Sequence, residues 1–272
     1  MSREGDALAY DRSYPLDVRW AGTRTVEGGS IAELTYLAVP SQRRAAYLVR
    51  PDGDGPFPAI LYVHWYEPQA CDSHRSQFLG EAESMMRRGV ISLLIETMWS
   101  DRDWFLKRTQ ADDFAASAQQ TIELRRAADL LLSQPGADGA RFAYVGHDFG
   151  AMYGVVMGSV DARPCCYVLM AGTPRFSDWY LYYPRVSDED RQAFIRDMAP
   201  LDPHGRVEAL APAPLLFQFG RSDPHVPPRR AEDFFDAAGE PKTVQWYDAG
   251  HALNEDAARD RERWLQAQLG IE

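Results

Sequence analysis

Arg141-Phe142-Ala143-Tyr144-Val145 runs directly into Gly146-His147-Asp148-Phe149-Gly150, and the reading of these ten residues decides the fold. A short apolar run ending in a Gly-x-Asp-x-Gly frame predicts a strand that turns sharply into a helix, with the central side chain lifted onto the turn. Gly146 and Gly150 leave room for backbone to pass close on either side. Aspartate stands where such an elbow usually carries serine. A serine hydroxyl needs a base before it attacks, whereas a carboxylate with a reference pKa of about 3.9 is already anionic at neutral pH. A plain turn residue would account for the aspartate but not for its place between strand and helix with a glycine on each side.

Outward from this frame the chain alternates short apolar runs with longer helical spacing. Before it, strand-like alternation covers 18–26, 31–39 and 45–50, followed by a buried strand over 59–63. The spacing then predicts a helix over 73–88, a strand over 90–95 and a helix over 112–133 ahead of the strand at 141–145. After the elbow come a helix from Phe149, strands at 166–170 and 215–219, a helix over 229–238, a strand at 243–246 and a last helix at 255–269. Such order predicts a mainly parallel sheet flanked by helices, with antiparallel N-terminal strands, in one domain spanning 1–272. Residues 173–212 interrupt the rhythm. This insertion joins the aromatic stretch Thr173 to Pro184 to an amphipathic helix over 188–198, and its composition suits a lid over an apolar pocket.

Composition narrows the partners. The chain has 272 residues, 45% of them hydrophobic, and carries 29 basic against 40 acidic residues, a formal charge of -11. That balance argues against nucleic acid and anionic membranes, which call for a cationic surface. Cys71, Cys165 and Cys166 form neither a disulfide framework nor a metal-ligand spacing, so no metal is expected. The opening stretch MSREGDALAY is charged and lacks an apolar core, and the expectation is a soluble cytoplasmic protein. Its expected partner is a small-molecule substrate, with a homodimer as the one assembly considered.

Two further pieces each follow an expected strand. Phe219-Gly220-Arg221-Ser222-Asp223 comes after one, and Tyr247-Asp248-Ala249-Gly250-His251 after the last. A parallel sheet gathers such segments at one edge, and the order nucleophile, acid, histidine makes His251 the base and Asp223 the residue that orients it. Asp248 is the rival acid, though its closeness to His251 suits a turn. His147 reads as packing beneath the elbow, His64 as structural, and His74, His204 and His225 as surface residues.

These segments carry a resemblance. With Leu61-Tyr62-Val63-His64-Trp65, the elbow, Phe219 to Pro227 and Tyr247 to Glu255, the chain resembles an α/β-hydrolase of the dienelactone-hydrolase type over roughly residues 45–269. The resemblance implies the α/β-hydrolase fold and a hydrolase with nucleophile Asp148, acid Asp223 and His251. Aspartate at the elbow is instead typical of epoxide hydrolases and haloalkane dehalogenases, and the oxyanion segment is altered to His64-Trp65-Tyr66-Glu67-Pro68.

The leading expectation is therefore a hydrolase without cofactor, in which Asp148 displaces a leaving group from a small epoxide or halide. The resulting ester would be cleaved by water that His251 activates. Backbone N–H groups of Phe149 and of Trp65 or Tyr66 would hold the oxyanion. An epoxide needs a neutral proton donor, for which Tyr66, Tyr180, Tyr182 and Tyr183 are candidates; a halide needs only indole N–H groups, as in Trp65 and Trp99. Glu96 is placed to face the pocket or to form a salt bridge. The alternatives are an ester or lactone hydrolase, with Asp148 as nucleophile or general base, and a catalytically silent ligand-binding or scaffold protein.

Overall fold

The computed structural model describes residues 7–183 and 185–271. Residues 1–6 of the opening stretch and Pro184 of the aromatic stretch lie outside the described residues. In chain order the strands are β1 (Arg19–Val26), β2 (Gly29–Val39), β3 (Gln42–Pro51), β4 (Phe57–Val63), β5 (Ile91–Ile95), β6 (Ala137–His147), β7 (Cys166–Met170), β8 (Leu215–Gly220) and β9 (Lys242–Tyr247). They form one sheet in the order β1-β2-β3-β5-β4-β6-β7-β8-β9. β1, β2 and β3 pair antiparallel, β3 meets β5 antiparallel, and every later pairing is parallel.

The helices are α1 (Leu79–Met86), α2 (Trp104–Lys107), α3 (Asp113–Leu132), α4 (Phe149–Gly158), α5 (Ser177–Tyr180), α6 (Asp188–Met198), α7 (Pro228–Asp236) and α8 (Glu255–Leu269). They bury opposite faces of the sheet. Ala127, Leu131, Val155 and Phe234 join one apolar cluster, while Met85, Met86, Leu265 and Leu269 join the other. Central strands buried on both sides explain why β4 reads as an unbroken apolar run and β5 as one interrupted only by Ser92, rather than as alternating patterns. Arg261 of α8 reaches Glu81 of α1 and also donates to Gln218 Oε1 at 2.9 Å, which ties the second helical layer together.

Most expected elements fall within a residue or two of their predicted bounds; β3 and β6 begin three and four residues earlier than expected, and one helix begins well after its expected start. The spacing at 73–88 predicts a helix from Ser73, but α1 starts at Leu79 and turns occupy 71–78. Side-chain bonds explain the difference, because they fold this segment onto the loop after β4. Ser73 Oγ accepts from the Glu67 N–H at 2.9 Å, and Gln77 Oε1 accepts from the Trp65 N–H at 2.8 Å. Polar side chains that capture neighbouring backbone in this way compete with helical hydrogen bonds and here outweigh the spacing. The short helices α2 and α5 leave too little periodicity to be read in advance.

Candidate active site

β6 lies between β4 and β7 in the middle of the sheet, so the turn at its end opens onto the C-terminal edge where loops converge. Asp148 occupies that turn at φ +56° and ψ -115°, a conformation that costs about 1–3 kcal/mol for a residue with a Cβ. Its N–H donates to Met170 O at 2.8 Å, and its own carbonyl accepts the first turn of α4 from Met152. Both flanking glycines are obligatory. A Cβ on Gly146 would sit 2.3 Å from Gly150 O, and one on Gly150 would sit 2.2 Å from Val63 O.

Three loops bring partners to this turn. After β9, His251 places Nε2 3.9 Å from Asp148 Oδ1; after β8, Asp223 Oδ2 accepts from His251 Nδ1 at 2.7 Å. The Asp223 Oδ1 is fixed separately by the N–H groups of His225 at 2.8 Å and Val226 at 3.1 Å. After β4, the Tyr66 N–H donates to Asp148 Oδ2 at 3.1 Å. One carboxylate oxygen of Asp148 is thus held by backbone, and the other has no hydrogen-bond partner among the described residues. The same is true of His251 Nε2. Asp148 is fully buried, and Asp223 and His251 are each only 8% exposed, so Asp148 and His251 face each other away from bulk solvent.

Burial and charge set the protonation of this group. Burial raises the Asp148 carboxyl above its ordinary range, against the opposing pull of His251 and of the Tyr66 and Phe149 N–H groups. Burial works against charge on His251, but the attraction of Asp148 and the bond and charge of Asp223 outweigh it and raise the imidazole to about 10. For Asp223 burial again opposes ionisation; the His251 bond and charge, with the His225 and Val226 N–H groups, hold it below the ordinary carboxylate range. Attraction within the group thus favours a protonated His251 and an ionised Asp223, while burial works against charge on Asp148.

A relay of neutral groups braces it from below. Gln77 Nε2 donates to His147 Nδ1 at 2.6 Å, and His147 Nε2 donates to the backbone carbonyl of His251 at 2.8 Å. Burial depresses His147 well below its usual value and keeps it uncharged. Because Gln77 also takes the Trp65 N–H, one side chain links the loop after β4 to the loop that carries His251. His64 fixes the other end of that loop through Trp65 O at 2.7 Å and Ser100 Oγ at 2.9 Å, and burial pushes it down to about 3.

Several expected participants have other partners. The Trp65 N–H belongs to Gln77 and its indole N–H to Asp72 at 3.3 Å, which leaves Tyr66 as the loop's donor to Asp148. The Trp99 indole donates to His64 O at 3.1 Å, and Tyr66 Oη donates to Arg102 O at 3.1 Å. Tyr180 Oη is bonded with Tyr153 and Ser117 inside the helical layer. Tyr182 and Tyr183 face solvent at 72% and 58% exposure, and Glu96 pairs with Arg75. None of these phenols or indoles is free to serve a departing group at Asp148 in this arrangement. The rival acid Asp248 points into solvent beside Arg221.

Three residues acquire a place that the sequence did not suggest. Gln77 lay inside an expected helix, and His225, expected at the surface, has its ring 5.2 Å from His251. Trp179, expected only as one of several aromatics of a lid or as packing, has its ring 5.7 Å from those of His251 and Phe149. The aromatic run around it was the available signal, but nothing in the run distinguished Trp179 from its exposed neighbours.

This sheet, with its elbow, acid and histidine at one edge, is the α/β-hydrolase fold. No family model matches the chain, and the search of curated proteins gave no match. Solved structures do match. An acetyl xylan esterase from Paenibacillus sp. R4 superposes with a TM-score of 0.78 at 18% identity, covering 97% of this chain and 92% of that one. Acetyl xylan esterase 1 from Thermoanaerobacterium sp. JW/SL YS485 gives 0.74 at 12% identity over the same shares, 97% and 92%. A candidate dienelactone hydrolase from Klebsiella pneumoniae gives 0.62 at 18% identity, covering 88% of this chain and 98% of that one. At such identities the likeness establishes the fold. Among the described residues no helix is long and apolar enough to cross a membrane.

Proposed function

We propose that the chain is a hydrolase of carboxylic esters or lactones that needs no cofactor, with Asp148 as base to water and His251 as acid to the leaving oxygen. The carrying observation is the facing pair Asp148 Oδ1 and His251 Nε2, 3.9 Å apart, buried and otherwise unpartnered. A water bridging them donates to the carboxylate and accepts from the imidazolium. As its oxygen attacks the acyl carbon, one water proton passes to Asp148; the imidazolium proton passes to the alkoxide as the ester C–O bond breaks. The proton on Asp148 then returns to His251, and the products are an acid and an alcohol. Burial that raises Asp148 makes it a better base than a surface carboxylate, and Asp223 steadies the imidazolium.

Two things favour this over the alkyl-electrophile expectation. The groups expected to serve an epoxide oxygen or a halide are bonded elsewhere or exposed. Several structural neighbours are also named as esterases. The reading is tested on a panel of short-chain esters and lactones. Wild type is expected to turn over at least one of them, with Asp148→Asn and His251→Gln each slower by about 10³-fold or more. Equal turnover by either variant removes the proposal, and no turnover across the panel favours a silent ligand-binding protein.

One observation supports a second reading, in which Asp148 is the nucleophile on an alkyl substrate. Asp148 Oδ2 already rests on the Tyr66 N–H, where the oxyanion would form during hydrolysis of an ester on Asp148 itself. Forming that ester would cancel one carboxylate beside His251, lower the imidazole's affinity for its proton and release it as a base for water. Under this reading His251→Gln accumulates an adduct on Asp148; under the first it does not.

A further inference from the structure

We infer that the indole N–H of Trp179 is the donor that holds the substrate's carbonyl oxygen as negative charge gathers on it, an inference that rests on the ester-hydrolase reading above. In an acyl-transfer site built on this fold, that charge would fall to the backbone N–H groups beside the elbow. Here the Tyr66 N–H is taken by Asp148 Oδ2 at 3.1 Å, and the pull of the Phe149 N–H also works to lower the Asp148 pKa. Aspartate in place of the usual serine therefore sets the enzyme's own oxygen on the Tyr66 donor of the cradle. A further donor for the substrate has to come from elsewhere.

Trp179 supplies one. Its Nε1 is buried and has no hydrogen-bond partner among the described residues, which is costly for an N–H unless a ligand completes it. Its ring packs at 5.7 Å against His251 and 5.7 Å against Phe149, and at 5.1 Å against His225. Asp148 Oδ1, His251 Nε2 and Trp179 Nε1 are thus three buried atoms without a hydrogen-bond partner among the described residues, an acceptor and two donors on side chains that meet at His251. An ester with its attacking water matches that set: the water meets the carboxylate, the leaving oxygen meets the imidazolium, and the carbonyl oxygen meets the indole. The other indoles near the site are already engaged, Trp65 with Asp72 and Trp99 with His64.

Trp179 is also held in place. It sits on α5, whose next residue, Tyr180, is bonded through its hydroxyl to Tyr153 of α4 and Ser117 of α3. Ahead of α5, the Phe176 N–H donates to Asp202 at 2.8 Å. A donor fixed in this way needs no reorganisation when charge develops.

The test compares wild type, Trp179→Phe, Asp148→Asn and a protein carrying benzothienylalanine at position 179, which keeps the indole's shape without its N–H. Each is assayed on acetate esters whose leaving groups range from p-nitrophenol to ethanol. Both position-179 variants are expected to lose about 100-fold in kcat on every ester, with KM within about 3-fold and the pH limits unmoved. Because benzothienylalanine preserves the packing, a loss confined to Trp179→Phe would mean a structural role and overturn the inference. So would benzothienylalanine activity within about 3-fold of wild type, or a loss that grows with leaving-group pKa. If wild type hydrolyses no ester, or Asp148→Asn hydrolyses them as fast, the parent reading fails and this inference with it.

Discussion

At the scale of the residue, everything turns on what Asp148 endures. Its backbone sits at φ +56°, and its carboxylate is fully buried, with burial raising its pKa. Both features oppose stability, and both are what a reactive group requires. Replacing Asp148 with glycine removes the strain and the buried charge together. The variant should be inactive yet more stable by about 1–2 kcal/mol, raising Tm by about 2–6 °C. A thermal melt in which Asp148→Gly unfolds below wild type would contradict this account of the turn. The residue was legible in the sequence because the glycine frame is local and each of its parts has one steric explanation. Trp179 was not legible, because an unpartnered N–H is a property of surroundings that three separate segments supply.

At the scale of the element, the strand-to-helix turn and the loop after β4 depend on close approach and on one side chain. Gly150→Ala would put a methyl group 2.2 Å from Val63 O, a backbone atom of a central strand that has no room to yield. A loss of about 3 kcal/mol or more is expected, read from urea unfolding. Gln77 is a subtler case, since it touches neither Asp148 nor substrate. It joins the Trp65 N–H to His147, which in turn holds the His251 carbonyl. Gln77→Leu should lower kcat by about 10- to 100-fold with KM nearly unchanged, the signature of a positioning residue, and should lower Tm by a few degrees because the Trp65 N–H and His147 Nδ1 lose their partner. A KM effect alone would assign it to substrate binding. The loop also shows the limit of reading by position: sequence left Trp65 and Tyr66 as equal candidates, and the Gln77 bond decides between them. Gln77 itself was hidden because 73–88 has helical spacing, which the side-chain bonds of Ser73 and Gln77 override.

At the scale of the whole molecule, the mainly parallel sheet with its antiparallel N-terminal strands was legible because alternating strands and helices admit few unknotted arrangements, whereas the strand order was not. What the sheet gathers at its edge is the Asp148 carboxyl beside the His251 imidazole, and these two groups set the pH behaviour. His251 is raised to about 10 in the folded chain, above an unfolded value near 6.5. Its contribution to stability is therefore fully present below about pH 6.5 and is lost as pH rises through about 10. Activity should follow the same group, because the leaving oxygen takes its proton from the imidazolium. The kcat/KM profile is expected to hold across neutral pH and to fall as pH passes about 10. It should fall at the acid end as Asp148, raised above the ordinary carboxylate range, takes up a proton. A rate that climbs between pH 9 and 11 would mean that neutral His251 is the working form. The most direct test of the central claim, that Asp148 acts on water and forms no bond to substrate, is a single turnover of an ester in oxygen-18 water followed by mass analysis of the product acid and of the peptide that contains Asp148. The account predicts one heavy oxygen in the acid and none in the peptide; label on Asp148 would contradict it.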